Sequence, residues 1–356
     1  MIITDAKAWL EKLPLKKPYT ISYDTFFDTR VVMLQITLDD GTIGIGSANP
    51  FEEVVGETPE QTLNLLQNEW CSRLLGLDIN HFESFIDLNS SALYKNPGTL
   101  AAIDIALHDA WARLQGKPLA NLLGKVMNGL TTSVTIGIKS PEDALAEGLE
   151  YVALGFTALK IKTGMDVMAD IETVIRIRAA VGKSVQLRVD ANAGYDIEAL
   201  LKFYTSTKEA DVELIEQPLP AGEEDTLRKL PKTLRRMLVA DESLTDIEAA
   251  QQLCRSPLPF GVFNIKLMKC GGIRAARKIA ALAQLHNIPI FWGCNDESRA
   301  SIAAALQTAY SCAGTRYLDL DGYLDLERDV VKGGFRLEAG KMFLTEEYGL
   351  GINWNT

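Results

Sequence analysis

A chain of 356 residues, of which 47% are hydrophobic, is long enough for two or three domains and can bury a large core. Its formal net charge of −11 argues against a nucleic-acid partner, which would require a basic surface. The sequence contains no run of about 18 apolar residues, so we expect no membrane-spanning segment.

The cysteines are typical of a protein from a reducing compartment. They are five in number and none is spaced as C-x-x-C: Cys71, Cys254, Cys270, Cys294 and Cys312. Disulfide frameworks and zinc sites usually need even or clustered cysteines. The segment Met1–Leu13 mixes charged and apolar residues, so it does not resemble a secretory signal. We therefore expect a cytoplasmic protein with free thiols.

Residues 1–125 are predicted to form an α+β domain. Two apolar strands over Val31–Gly46, with a turn at Asp39–Gly41, are typical of a hairpin. Helical periodicity follows over Pro59–Leu75 and Gly98–Leu114.

Two loops of this domain, 19–30 and 48–57, carry the acidic residues Asp24, Asp28, Glu52 and Glu53. Loop acids are commonly solvated surface charges. The alternative is that the domain covers the mouth of a barrel formed by the rest of the chain and that these loops meet the substrate.

After a strand at Thr131–Ile136, strands and helices alternate to about Asp325. Five apolar runs each finish at a charged residue: Ala158–Lys162, Val185–Asp190, Val212–Glu216, Leu238–Asp241 and Phe263–Lys266. From Lys162 the charged ends fall 28, 26, 25 and 25 residues apart, which suits one strand, one helix and two short loops. The pattern predicts an α/β fold with a TIM-like barrel of seven or eight β/α units over residues 126–326. We expect residues 327–356 to return to the N-terminal domain and to form a cap with it.

Asp190, Glu216 and Asp241 lie at matched positions along this repeat. The C-terminal ends of barrel strands converge on one face, where active sites lie. Any one of these carboxylates alone is more often a helix cap, but three brought together would repel one another without a cation. Ligation by oxygen alone favours Mg²⁺, with Mn²⁺ as an alternative.

Lys160 and Lys162 are two residues apart and therefore share one side of a strand. An exposed edge strand could show the same pattern. Lys266 ends a strand four units later, roughly across the barrel. Two amines on opposite sides of a metal suit removal of a proton from one face of a carbon and its return to the other. We expect burial, the metal and the other lysine to lower their pKa toward neutrality.

Five motifs follow one another along the predicted barrel: Lys-x-Lys, Val-Asp-Ala-Asn, Ile-Glu-Gln-Pro, Ala-Asp-Glu-Ser and Asn-Ile-Lys-Leu-Met-Lys-Cys-Gly-Gly. In these motifs the chain resembles the muconate-lactonising subgroup of the enolase superfamily. The resemblance implies that the three carboxylates bind Mg²⁺, that Lys162 and Lys266 are the acid/base pair, and that Lys160 assists electrostatically. The implied first step removes the proton α to a carboxylate and forms an enediolate.

The motif Asp319-x-Asp321, at the end of the eighth strand, is similar to that of the dipeptide epimerases. That branch uses it to bind the α-ammonium of a dipeptide. Cycloisomerases and o-succinylbenzoate synthases have no ammonium to bind, and the acid-sugar dehydratases use a histidine at a strand end. The resemblance therefore implies 1,1-proton transfer at the C-terminal Cα of a dipeptide. A strand end that caps the next turn is the simpler interpretation of these aspartates.

Specificity is predicted from acidic positions around the site. Relatives that epimerise Ala-Glu place an arginine in the first cap loop, where this chain has Asp24. Together with Asp296 near the seventh strand end and with Glu52 and Glu53, this acid favours cationic or neutral dipeptide side chains. Asn192, in the Val-Asp-Ala-Asn match, is a further candidate substrate contact.

Cys294 is also a candidate contact. No histidine is placed to activate its thiol, so we expect it to pack against its neighbours and not to act as a nucleophile. The alternatives are an Ala-Glu epimerase, a cycloisomerase, an o-succinylbenzoate synthase, an N-acylamino acid racemase, or a metal-binding barrel without catalysis. Besides a dipeptide, a second copy of the chain is the candidate partner.

Overall fold

The computed structural model describes residues 1–22 and 24–355. Within these residues an eight-stranded parallel barrel is accompanied by a separate antiparallel sheet near the N-terminus. The predicted fold class is therefore confirmed. No helix in the described part of the chain has both the length and the apolar character needed to cross a bilayer.

The N-terminal sheet has the order β1-β2-β3, and its neighbouring strands are antiparallel: β1 (Ile3–Thr20), β2 (Thr25–Leu38) and β3 (Ile43–Ala48). The predicted hairpin is confirmed as β2 and β3. The long strand β1 is not predicted from the sequence. It lies at the edge of the sheet, where charged side chains face solvent, so its apolar residues do not alternate strictly.

Helices pack around this sheet: α1 (Glu52–Val55), α2 (Pro59–Leu65), α3 (Cys71–Leu74), α4 (Phe82–Asn89), α5 (Pro97–Leu114) and α6 (Leu119–Leu123). A π-helical turn joins α2 to α3, and a 3-10 turn precedes α4: Leu66–Trp70 and Ile79–His81. Both predicted helices are therefore confirmed. Helix α5 lies directly on β3, and Gly44 and Gly46 allow this close approach because they have no Cβ. A Cβ at either position would meet the main chain of the helix.

The predicted strand Thr131–Ile136 is divided into β4 (Leu130–Thr131) and β5 (Val134–Ile136). The chain changes partners between them. Thr132 N–H bonds to Gly340 (2.9 Å) in the C-terminal tail, whereas Ser133 N–H bonds to Leu318 (3.0 Å) in the barrel. A single strand is therefore the wrong prediction here, because the two halves belong to different sheets.

The barrel strands that follow β5 are β6 (Ala158–Lys162), β7 (Gln186–Asp190), β8 (Val212–Glu216), β9 (Leu238–Ala240), β10 (Val262–Ile265), β11 (Ile290–Gly293) and β12 (Thr315–Asp319). Each pairs in parallel with the next one along the chain. The bridge between Thr132 and Leu318 joins the first strand to the last. The β/α repeat predicted from the spacing of charged residues is confirmed.

The helices between and around these strands are α7 (Pro141–Ala153), α8 (Val167–Val181), α9 (Ile197–Ser206), α10 (Glu224–Arg228), α11 (Lys232–Arg235), α12 (Ile247–Leu253), α13 (Leu267–Cys270), α14 (Ile273–Leu285) and α15 (Arg299–Ala309). Two 3-10 turns, Lys208–Ala210 and Gly322–Leu324, complete the set. Side-chain caps from Ser140, Asp166 and Asp246 fix where α7, α8 and α12 begin.

The C-terminal tail adds the strands β13 (Val331–Gly333), β14 (Phe335–Glu338), β15 (Lys341–Leu344) and β16 (Ile352–Trp354). The tail contacts the N-terminal sheet, since the Trp354 indole donates to Gln35 Oε1 (2.8 Å) and lies 5.2 Å from the ring of Trp9. It also contacts the barrel, since Arg299 Nη2 donates to Gly333 (2.9 Å). The domain boundaries after residues 125 and 326 stay a prediction.

Candidate active site

Three buried carboxylates lie together at the C-terminal ends of neighbouring strands. Asp190 ends β7, Glu216 ends β8 and Asp241 directly follows β9. One oxygen of each lies within 4.8 Å of the other two. Carboxylates this close repel one another unless cations balance them, and a donor set of oxygen atoms alone suits a hard divalent ion. The residues present therefore fit Mg²⁺. We call them the carboxylate trio.

Left-handed backbone after β7 and β8 turns the chain sharply at the barrel mouth. Asn192 has a φ of 39° and Gln217 a φ of 32°, values that are uncommon outside glycine and are often found at functional sites. The side chain of Gln217 accepts hydrogen bonds from the N–H groups of Asp241 (3.0 Å) and Ser243 (3.2 Å). Asn192 N–H donates to Asp190 Oδ1 (2.9 Å). The turns therefore hold two members of the trio in place.

Lys160 and Lys162 contact the same carboxylate, as their spacing on one side of β6 predicts. Their Nζ atoms lie 3.0 and 2.8 Å from Asp190 Oδ2. Lys160 is buried and also lies 2.9 Å from Glu216 Oε2. Lys162 also donates to Asn192 Oδ1 at 2.8 Å. Asn192 thus orients a predicted acid/base lysine.

Lys266 approaches the trio from the other side. It follows β10, and its Nζ lies 2.9 Å from Asp241 Oδ2. In the barrel order, β7, β8 and β9 separate β6 from β10. Lys162 and Lys266 therefore flank the trio, the first at Asp190 and the second at Asp241.

Carboxylates raise the pKa of the buried lysines. Burial alone would lower the pKa of Lys266, but the charge of Asp241 outweighs it and raises that pKa. Burial likewise opposes a raised pKa at Lys160, where the carboxylates of Asp190 and two further acids prevail. Among the protein groups alone, each of these two lysines faces more carboxylates than cations. The expected lowering also counts the charge of the metal, and it stays a prediction.

A cavity of about 490 Å³ lies between the barrel mouth and the N-terminal loops. We call it the substrate cavity. Its walls include Lys162, Asp241 and Lys266 from the barrel, and Phe26 and Glu52 from the loops. Both acid/base lysines and Asp241 of the trio are therefore open to one shared space that a small molecule can enter.

The two aspartates of the D-x-D motif line this cavity but differ in their contacts. Asp319 has both oxygens occupied, Oδ1 by Ser133 Oγ (2.6 Å) and Oδ2 by Lys160 Nζ (2.7 Å). Asp321 Oδ2 accepts a hydrogen bond from Thr135 N–H (2.7 Å), whereas Oδ1 has no partner among the described residues. Within this pair, only Asp321 offers a carboxylate oxygen to a ligand.

Asp296 is a second acid with spare capacity in the substrate cavity. Its carboxylate has no hydrogen-bond or ion-pair partner among residues 1–22 and 24–355. Burial and the charge of Asp321 raise the pKa of Asp296 to about 7. Burial and the charge of Asp319 raise that of Asp321 to about 8. A cation bound between them would favour ionisation of both.

Cys294 also lines the cavity, with its Sγ 3.3 Å from the carbonyl oxygen of Asp319. Burial and the charge of Asp321 raise the pKa of its thiol well above the usual value. No histidine in the described part of the chain lines the cavity. A protonated thiol with no neighbouring base is a poor nucleophile.

The structure does not bring Asp24 to the cavity wall. Its side chain is exposed, and Oδ1 accepts a hydrogen bond from Thr25 N–H (2.7 Å). Glu52 and Glu53 do lie at the mouth, exposed to solvent. Asp28 lies there too, 3.1 Å from Lys12. Of the predicted loop acids, Asp24 is the one that is placed away from the site.

Sequence reasoning missed the residues that hold the trio in position. Buried Lys269 donates to Oδ1 and to the carbonyl oxygen of Asp241, and also to the carbonyl oxygen of Asn264 (3.1 Å). Asn264 Nδ2 donates to Glu216 Oε1 (2.8 Å). Both residues lie within three positions of Lys266, in the motif Asn-Ile-Lys-Leu-Met-Lys. Polar side chains in an otherwise apolar strand and turn were the available signal.

Comparison with known proteins gives matches along almost the whole chain. The model "Mandelate racemase / muconate lactonizing enzyme, N-terminal domain" matches residues 3–124, and "Enolase C-terminal domain-like" matches residues 143–356. The L-Lys-D/L-Arg epimerase of Desulforapulum autotrophicum is 46% identical over 99% of both chains. That of Methylococcus capsulatus is 44% identical, again over 99% of both.

A solved structure is also closely similar. It is the dipeptide epimerase from Methylococcus capsulatus in complex with Mg and the dipeptide L-Arg-D-Lys. The TM-score is 0.97 at 44% identity, and the match covers 99% of this chain and 100% of that one.

These matches agree with the barrel and with its charged strand ends. The protein is a capped β/α-barrel protein of the enolase superfamily. Within that superfamily it belongs to the dipeptide epimerase family, because identities of 44% and 46% extend along nearly its full length.

Proposed function

We propose that the protein is a Mg²⁺-dependent dipeptide epimerase that inverts the Cα of the C-terminal residue and prefers dipeptides with cationic side chains. The observation that carries the proposal is the position of Lys162 and Lys266 on opposite sides of one carboxylate trio. A barrel that only bound a metal would have no use for two opposed amines.

Proton transfer uses the two lysines in turn. With the substrate Cα between them, one amine removes the α-proton and the ammonium on the other side delivers a proton to the opposite face. Inversion follows because removal and delivery occur from different sides. Running the step backward exchanges the two roles, so neither lysine is permanently the acid or the base.

The surrounding charges support this transfer. Lys160 remains protonated because it contacts three carboxylates. Its positive charge attracts the carboxylate of the substrate. When bound by Asp190, Glu216 and Asp241, Mg²⁺ supplies positive charge that offsets the negative charge developing on the substrate carboxylate.

Asp321 and Asp296 hold the α-ammonium at the other end of the dipeptide. Both line the substrate cavity, both have an oxygen without a partner among the described residues, and their charges act on each other. An ammonium group placed there would form charge-assisted hydrogen bonds. This places the two ends of a dipeptide at opposite ends of one cavity.

A preference for cationic side chains rests on two observations. The residues that line the cavity include more acids than basic residues. Arg30, the basic residue at the mouth, is already paired with Glu60 (2.5 Å). The relatives at 44% and 46% identity are L-Lys-D/L-Arg epimerases. A glutamyl side chain would be repelled by the same acids.

The test incubates L,L-dipeptides with protein and Mg²⁺ in D₂O and follows the α-proton signal by NMR and the product stereochemistry by chromatography. The wild type is expected to exchange and invert L-Lys-L-Arg faster than L-Ala-L-Glu. Lys162→Ala and Lys266→Ala should both abolish inversion. Each variant retains one lysine of the pair. The variant whose remaining lysine faces the α-proton of the L-residue should still exchange that proton for deuterium.

Lys278→Ala is a suitable control, because Lys278 is an exposed lysine on α14 that pairs with Asp87. It should behave as the wild type. Absence of exchange with every dipeptide would contradict the proposal and favour a metal-binding barrel without catalysis. Faster turnover of L-Ala-L-Glu would contradict the cationic preference alone.

A further inference from the structure

A second cavity adjoins the substrate cavity. Its volume is about 470 Å³, and we call it the side cavity. The two cavities have three wall residues in common, Tyr19, Thr135 and Asp325. These three residues therefore lie at the boundary between the two spaces.

Asp325 is the acid at this boundary, and its main chain is held firmly. It follows the 3-10 turn after β12, and its carbonyl oxygen accepts a hydrogen bond from Lys16 N–H (2.8 Å). The ammonium group of Lys16 is occupied elsewhere, at the carbonyl oxygen of Leu324 (2.7 Å). The carboxylate of Asp325 has no hydrogen bond or ion pair with any residue in the described part of the chain.

Other acids of the side cavity already have cationic partners. Glu147 pairs with Lys139 and lies 3.8 Å from Lys17, and Glu150 lies 3.9 Å from Lys17. Asp325 differs from them in having no ion pair among the described residues: the charges of Asp296 and Glu147 act on it from the two cavities, and those of Lys16 and Lys139 offset them only in part. Burial, Asp296 in the substrate cavity and Glu147 in the side cavity raise its pKa to about 8. A cation brought to this point would remove that electrostatic cost.

The position of Asp325 relative to the ammonium site decides which cation can reach it. Asp321, which we assign to the α-ammonium under the proposed function, lies four residues earlier, and the charges of Asp321 and Asp325 act on each other. In a dipeptide, the side chain of the N-terminal residue leaves the carbon that carries the α-ammonium. A lysine or arginine side chain extends roughly 6 to 7 Å from that carbon.

We propose that Asp325, at the boundary between the two cavities, binds the cationic side chain of the N-terminal residue of the substrate. The side cavity receives the end of this side chain, and Tyr151 and Phe156 in its wall offer apolar contact to the aliphatic stem. The C-terminal side chain lies elsewhere, near the trio. The assignment rests on the proposed function.

The experiment compares kcat/KM for L-Lys-L-Arg, L-Ala-L-Arg and L-Lys-L-Ala in the wild type and in Asp325→Asn, which keeps the size of the side chain and removes its charge. We expect the variant to lose roughly 10- to 100-fold on both substrates with N-terminal lysine, the usual effect of one lost charged contact. L-Ala-L-Arg should change less than about 3-fold, because it has no side-chain cation at that end.

Two further variants make the result specific. Asp325→Glu keeps the charge and should retain most of the preference for N-terminal lysine. Glu198→Gln removes an exposed acid on α9 that lines neither cavity, and it should leave all three substrates unchanged. Thermal unfolding of each variant checks that it is folded.

The assignment is overturned if Asp325→Asn lowers kcat/KM equally for all three dipeptides or for none, or if it affects only the C-terminal residue. Those outcomes leave the proposed function intact, because the wild type still exchanges the α-proton. A wild type that exchanges no α-proton with any dipeptide would instead overturn the proposed function and this assignment with it.

Discussion

The two sides of the substrate cavity differ in how their charges are paired. On the proton-transfer side, formed by β6 to β10, every lysine and every carboxylate of the trio has an oppositely charged partner within 3.0 Å. On the recognition side, formed by β11, β12 and the residues after them, Asp296, Asp321 and Asp325 have no cationic partner among the described residues.

This difference separates groups that are fixed by ion pairs within the protein from groups that can form an ion pair only with a ligand. Paired charges keep their geometry whatever substrate arrives, so the chemistry is the same for every dipeptide. Unpaired buried acids are costly, and this cost is relieved only by a ligand with cations in the right places. Under the proposed function, selectivity therefore comes from the side of the cavity whose buried acids have no cationic partner among the described residues.

The largest expected effect comes from breaking the proton-transfer side at Glu216. Glu216→Gln keeps the shape of the side chain but removes one charge of the trio. We expect kcat to fall roughly 1,000-fold or more, because a bound metal contributes several kcal/mol to the transition state. Mg²⁺ affinity, measured by calorimetry, should fall as well. Glu198→Gln, at an exposed position on α9, is the control; equal losses in both variants would contradict the assignment.

A smaller loss of activity is expected from Lys269→Met, which removes the ammonium group that hydrogen-bonds to the carboxylate and to the carbonyl oxygen of Asp241. Loss of a residue that orients a metal ligand typically costs 10- to 100-fold, and we expect kcat to fall by about that much. Mg²⁺ affinity should change in the same variant, whereas the relative preference among dipeptides should not. Lys278→Met provides the comparison at the surface. A change in dipeptide preference would place Lys269 on the recognition side instead.

The recognition side should respond to pH in a characteristic direction. The pKa of Asp296 is about 7, so its carboxyl is largely protonated at pH 6 and ionised at pH 8. Only the ionised form attracts an ammonium group. The ratio of kcat/KM between wild type and Asp296→Asn should therefore be near one at pH 6 and rise to roughly 10 at pH 8 for L-Lys-L-Arg.

Taking this ratio cancels the titration of groups whose charge does not act on Asp296. The Lys278→Ala protein serves as the reference for a charge change outside the cavity. A ratio that stays constant over this pH range would show that ionisation of Asp296 does not contribute to recognition.

The smallest expected effect is at Asp24. Its side chain is exposed and caps Thr25 N–H outside the cavity wall, so Asp24→Asn should change kcat/KM less than about 2-fold for any dipeptide. Measurement with L-Lys-L-Arg and L-Ala-L-Glu is sufficient. A gain of activity on L-Ala-L-Glu would restore Asp24 to the specificity role predicted from the sequence.

The proton-transfer side could be predicted from the sequence because it follows from regular spacing. Strand, helix and loop lengths repeat with little variation from Lys162 to Lys266, so the residue at each strand end can be located by counting. A parallel barrel then places Asp190, Glu216 and Asp241 next to one another. The structure agrees with that reasoning at β6, β7, β8, β9 and β10.

Features that depend on tertiary contacts were less accessible. The strand β1 is long but carries charges on its solvent-facing positions, so the hydrophobic pattern that identifies strands is weak there. Asp24 lies in a loop, and loop spacing does not determine where a side chain points. The direction of the lysine pKa values also depends on how many carboxylates face each amine, as at Lys160, and the sequence alone does not give that number.

Barrel closure at Ser133 has a consequence for the order in which the protein can assemble. The contacts Lys162–Asp190 and Lys269–Asp241 each span 28 positions of the chain. The contact Ser133–Asp319 spans 186, as does Thr135–Asp321. Contacts between distant segments carry the larger loop-closure entropy and tend to form late in folding. The local contacts of the acid/base lysines can therefore form before the long-range contacts of Asp319 and Asp321 close the seam.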